Sequence, residues 1–149
     1  MHLILARAID CSIDSCRVQL LDDGSVIDAP LSPLMIQIGT RIRPEMLVAL
    51  DRGATPPEIR WRFETRPVEA LAGDRITLHG RQFRFTDARP VAEQATPIRV
   101  GDTVVAGSTD GGDTLEVYDT VENGRPRHPE RLEAAYPQIE AAYQRQTTA

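Results

Sequence analysis

The chain contains no lysine; all 17 of its basic residues are arginine. It has only two cysteines, three histidines, one tryptophan, three tyrosines and three phenylalanines in 149 residues. No apolar run nears the roughly 20 residues that a membrane helix needs. The longest, Leu3 to Ile9, is broken by Arg7 and lacks a basic leader, so neither a membrane span nor a signal peptide is expected. The missing lysine reads first as codon bias. The alternative is repeated carboxylate or phosphate recognition, which arginine performs better. Acidic residues number 22, giving a net charge of −5. Both halves of the chain are mildly acidic. Binding to bulk nucleic acid or to an anionic membrane usually needs a positive face, so neither partner is expected.

Two thiols without a nearby histidine do not make a metal cage. Cys11 and Cys16 would face each other if residues 12–15 form a hairpin loop. With no secretory signal, reduced thiols and a cytoplasmic location are expected.

What is present is mostly strand signal. Val18 and Leu20 alternate with Arg17 and Gln19, and Ile59, Trp61 and Phe63 alternate with Arg60, Arg62 and Glu64. Ile36, Ile38 and Ile42 fall on even positions around Gly39, and Met46 to Leu50 is a short apolar run. Phe83 and Phe85 follow a turn at His79-Gly80, and Gly111-Gly112 turns the chain before Leu115 to Tyr118. Short alternating segments bounded by Gly, Pro and Asp predict a mainly β protein of one or two small antiparallel, Greek-key-like barrels. The nearest general shape is the oligonucleotide/oligosaccharide-binding type of small barrel, a fold that hosts many functions.

Only the end reads as helix. Leu132, Tyr136, Ile139 and Tyr143 lay one apolar stripe, Pro129 suits a first turn, and Pro137 predicts a kink or restart. A helix of this length must dock, either on its own chain, which is favoured, or on a second copy. Residues 144–149 are expected to fray.

The halves can be superposed in sequence. Arg17-Val18-Gln19-Leu20 resembles Arg75-Ile76-Thr77-Leu78, and Ile36-Gln37-Ile38-Gly39 resembles Ile98-Arg99-Val100-Gly101. The match reads either as a duplicated small barrel or as chance between two β-rich stretches with free gaps. The resulting division is a barrel-like unit at 1–68, a second at 69–128, and a C-terminal helix with its tail at 129–149.

The densest chemistry runs from Ile59 to Arg89. Aromatics interleaved with arginines on a barrel can grip single-stranded nucleic acid. Strand parity opposes this, because Trp61 and Phe63 share one face while Arg60 and Arg62 take the other. The simpler reading puts the aromatics in the core and a candidate binding patch of Arg60, Arg62 and Arg84 outside, flanked by Glu58 and Glu64. Asp10 with Asp14, Asp22 with Asp23, and Asp110 with Asp113 lie at turns, where aspartate satisfies local backbone donors. His2, His79 and His128 have no acid or cysteine at metal-ligand spacing. No catalytic residue, metal ligand or cofactor site is assigned. The expected function is a non-enzymatic binding or assembly module making protein contacts. A nucleic-acid-binding barrel using the arginine face is the alternative, and an enzyme of unspecified reaction ranks third.

Overall fold

The computed structural model describes residues 3–110 and 112–148. His2, Gly111 and Ala149, which figured in the sequence reading, lie outside them. The chain divides into two compact units, one running to Phe63 and the other from Glu64 to Gln146.

The first unit holds β1 (Leu3–Cys11), β2 (Ser15–Leu20), β3 (Val26–Pro30), α1 (Pro33–Ile38), β4 (Leu47–Asp51) and the opening of β5 (Glu58–Ala72). β1 pairs antiparallel with β2 and with β4. β2 continues to β3, and β4 pairs with residues 58–63 of β5. A single parallel bridge, Leu31 to Ile59, joins the end of the third strand to the fifth.

In the second unit, the rest of β5 pairs with β6 (Arg75–Leu78) and β8 (Thr103–Gly107). β6 pairs with β7 (Arg81–Asp87), and β8 with β9 (Thr114–Glu122). β7 runs parallel to β9 over four register pairs, Arg84–Thr114 to Asp87–Val117, which closes a five-stranded barrel. Among the described strands, the expected antiparallel arrangement therefore holds for every ladder except this seam, the isolated Leu31–Ile59 bridge being the other parallel contact. α2 (Val91–Gln94) connects β7 to β8, β10 (Arg125–Pro126) turns back on β9, and α3 (Pro129–Thr148) ends the chain. The core of this barrel is Val68, Ile76, Leu78, Phe83, Val104, Ala106, Leu115 and Val117.

The two units share their pairing order down to the irregularities. In each, the first strand bulges against the second, at Ala8/Asp10 and at Val68/Ala70. In each, the fourth and fifth strands shift register, at Ala49/Leu50 and at Val105/Ala106. The first–second ladders match Val18 with Leu78, the fourth–fifth ladders match Trp61 with Asp119, and the seams match Leu31 with Asp87, whereas the second–third ladders match Ile27 with Arg81 and so differ from the seam by two residues. The sequence superposition of Arg17 on Arg75 is thus off by two residues. Gly39 matches Ala95, the C-cap of α2, rather than Gly101.

Several local expectations are corrected. Ile36 and Ile38 lie on a helix, not a strand. Ser32 caps it by accepting from the Met35 N–H, Pro33 occupies its first turn, and Gly39 ends it at φ 69°. The helix α3 runs unbroken through Pro137 to Thr148, so neither a restart nor a frayed tail from residue 144 is found. Pro137 and Glu133 are both exposed, so water can satisfy the carbonyl that the proline leaves without a donor. Leu132, Tyr136 and Ile139 are buried within the single chain, and Tyr143 is half-buried. Cys11 and Cys16 stand opposite each other in the β1–β2 ladder and are joined as a disulfide, against the expectation of free thiols.

Candidate functional site

Trp61, Phe63 and Phe83 are buried, and among the described residues no aromatic side chain is exposed. Arg60 and Arg62 alternate with them on β5 and are half-buried, Arg60 donating to Glu58 at 2.8 Å. Arg84 is exposed on β7, 3.7 Å from Asp74, and faces Arg75 in the ladder. β7 pairs with β6 and β9, so strand pairing does not bring Arg84 beside Arg60 and Arg62.

A cleft lies wholly in the second unit. It measures about 660 Å³ and is lined from α2, the loop leading to β8, the end of β9 and the residues before α3. On its lining, Glu93 and His128 belong to a charged cluster. Asp119 on β9 is 1% exposed. Its carboxylate accepts from the backbone N–H groups of Thr120, at 2.9 Å, and of His128. The same carboxylate lies 3.2 Å from His128 Nδ1 and 3.8 Å from Arg131. His128 Nε2 faces Glu93 at 3.4 Å. Arg131, in the first turn of α3, donates both terminal nitrogens to Glu93, one at 2.6 Å. This fork, helped by the charges of Arg131, His128 and Arg89, holds the Glu93 carboxyl down at about 2.

Beside it, Arg89 is 6% exposed. It grips Asp87 through two nitrogens, the closer at 2.6 Å, and donates to the Thr96 carbonyl at 3.1 Å. Burial pushes the Asp87 carboxyl up, but the side-chain and backbone bonds from Arg89 overcome it and hold the group below its usual range. Gln94 donates to the carbonyls of Asp87 and Arg89, which ties α2 to the end of β7.

Sequence reasoning missed this cluster. Asp87, Glu93, Asp119 and His128 come from separate elements and form no local motif. The only cue was His128 beside a helix start, with acidic residues before it. Asp23 accepts from the Ser25 N–H, and Asp110 from Ser108 and Thr114, as expected of turn aspartates. Among the described residues, no group of three or more His, Cys, Asp or Glu could hold a metal ion. Among them too, no helix is long and apolar enough to cross a membrane. No protein-family model matches the chain, and no curated protein is similar to it in sequence. The fold and cleft therefore define it only as a small-barrel protein with a polar cleft.

Proposed function

We propose that the chain is a non-enzymatic binding module made of two copies of one five-stranded barrel, the second of which carries the ligand cleft. The shared strand order, the two matched bulges and the matched parallel bridge support the duplication. One observation carries the non-enzymatic reading. The charged groups of the buried cluster beside the cleft are committed to one another: Asp119 to backbone N–H groups and His128, Glu93 to Arg131, and Arg89 to Asp87. A general acid or base must instead keep a proton site free for substrate.

The test uses Ala92, a small exposed residue on the cleft lining. The purified protein is incubated with a mixture of polar small molecules, and what it retains is identified by mass spectrometry. The expected result is one class of molecule recovered unchanged, and lost in Ala92→Trp without a change in melting temperature. Chemical conversion of the retained molecule, or undiminished retention by Ala92→Trp, overturns the reading.

Protein contacts are favoured for the first barrel by a different observation. Its seam is paired only at Leu31–Ile59, and Ile13 and Val26 are 88% and 52% exposed. Val26→Glu should then abolish any self-association or partner binding seen by sedimentation. The nucleic-acid alternative is weakened by the covered aromatics, since sequence-tolerant gripping of single strands relies on stacking. The disulfide favours an oxidising compartment over the expected cytoplasm.

A further inference from the structure

We propose that the cleft of the second barrel takes a small phosphorylated, hydroxyl-rich molecule of the sugar-phosphate class; this rests on the binding reading above. The charged groups beside the cleft are matched to one another, whereas its rim has hydrogen-bonding capacity left over. Arg99 lines the cleft, and its guanidinium has no partner among the described residues. Arg127 lines it too, with 57% of its side chain exposed and a single ion pair to Glu122 at 3.5 Å. The hydroxyls of Thr96, Thr103 and Thr120 on the lining make no hydrogen bond among the described residues.

The rim therefore offers two planar donor forks, which suit a phosphate. It also offers the carboxylates of Asp102 and Glu122, which repel an anion but accept from hydroxyl groups. A ligand that is anionic at one end and hydroxylated at the other satisfies both sets. A bare anion wastes the carboxylates, and a neutral sugar wastes the arginines. The cleft volume of about 660 Å³ falls within the usual range for small-molecule sites.

The experiment titrates the full chain with ribose 5-phosphate, inorganic phosphate and ribose, followed by calorimetry and melting temperature. Saturable binding of ribose 5-phosphate is expected, at least tenfold tighter than either fragment. Arg99→Gln should weaken it tenfold or more while leaving the ligand-free melting temperature unchanged, because Arg99 supports nothing else through its side chain. Glu122→Gln should weaken ribose 5-phosphate but not inorganic phosphate. Unaltered binding by Arg99→Gln, or equal binding of phosphate and ribose 5-phosphate, overturns the ligand class. A neutral or cationic molecule that binds equally to Arg99→Gln overturns the class while leaving the binding module standing. If no small molecule of any charge binds, both fall.

Discussion

Where Leu31 bridges to Ile59 in the first unit, Asp87 pairs with Val117 in the second. Where Trp61 opposes Ala49, Asp119 opposes Val105. The connecting helices differ in the same sense. Met35 of α1 is completely buried, whereas α2 buries no residue. At these positions the first unit thus carries apolar side chains and the second charged ones. Apolar burial needs no partner geometry, so it stabilises without creating a site. Buried charge must be paired and hydrogen-bonded, and pairing draws in α2, β9 and α3. The cleft opens beside the charged set, where the second barrel's short helix fills nothing.

The seams differ too. At the register positions that pair in the second barrel, the first places Pro30 opposite Glu58 and brings Pro56 and Pro57 to the fifth strand. Proline has no N–H to give to a ladder, so pairing stops at one bridge.

The largest effect should come from the apolar first unit. Trp61 is 4% exposed, and Trp61→Ala should cost about 3–5 kcal/mol in chemical unfolding followed by far-ultraviolet circular dichroism. Amide exchange should rise first in residues 3–63. A cost below about 1 kcal/mol would mean that the first barrel does not depend on apolar filling at this position.

In the second unit, Asp119→Ala should cost about 3 kcal/mol, because it strands the N–H groups of Thr120 and His128 and removes the buried carboxylate beside His128 and Arg131. Loss of protection should begin at Thr120, His128 and the first turn of α3. Uniform loss across both units would show that this network does not belong to the second unit alone.

These two positions also mark how far the fold could be read in advance. Ile59, Trp61, Phe63 and Phe83 are legible as core, because strand alternation needs only neighbouring residues. β4 (Leu47–Asp51) is buried along its whole length, and β8 nearly so, which removes the alternation that identifies a strand. α1 carries Ser32, Pro33 and Gly39 as start and stop signals, but its isoleucines also fit a strand period. Asp119 and His128 meet only because β9 turns through β10 before α3 begins, and nothing in the intervening residues announces it.

Reducing the Cys11–Cys16 disulfide removes a constraint of the first unit, where the second has Leu71 and Ile76 at matched register. Closing so short a loop should be worth about 2 kcal/mol by the chain-entropy estimate. The check is the melting temperature of Cys11→Ser/Cys16→Ser, compared with the wild type in reductant. A wild type that ignores reductant would show that this hairpin is held by its ladder alone.

The smallest effect concerns acid, and it divides the two units. In the second unit Glu93, at about 2, Asp87 and Asp110 titrate below their ordinary values, whereas in the first the lowered carboxyl is the exposed Asp23, held by its bonds from Ser25. A carboxyl whose folded value is depressed contributes stability that is fully present above its unfolded value, about 4.5 for Glu93. That contribution is lost as the pH falls towards about 2, because the unfolded chain then binds protons that the folded chain refuses. Between these limits the second barrel should loosen before the first. Amide exchange at Arg131 and along α2 would report its loosening, and the fluorescence of Trp61, the only tryptophan, would report the first barrel. Glu93→Gln should flatten the acid limb and start from a slightly lower melting temperature at neutral pH. The effect is modest because Glu93 is partly solvated, and added salt should shrink it further. Should Trp61 fluorescence change at higher pH than the amides of α2, charge pairing is not what sets the second unit apart in acid.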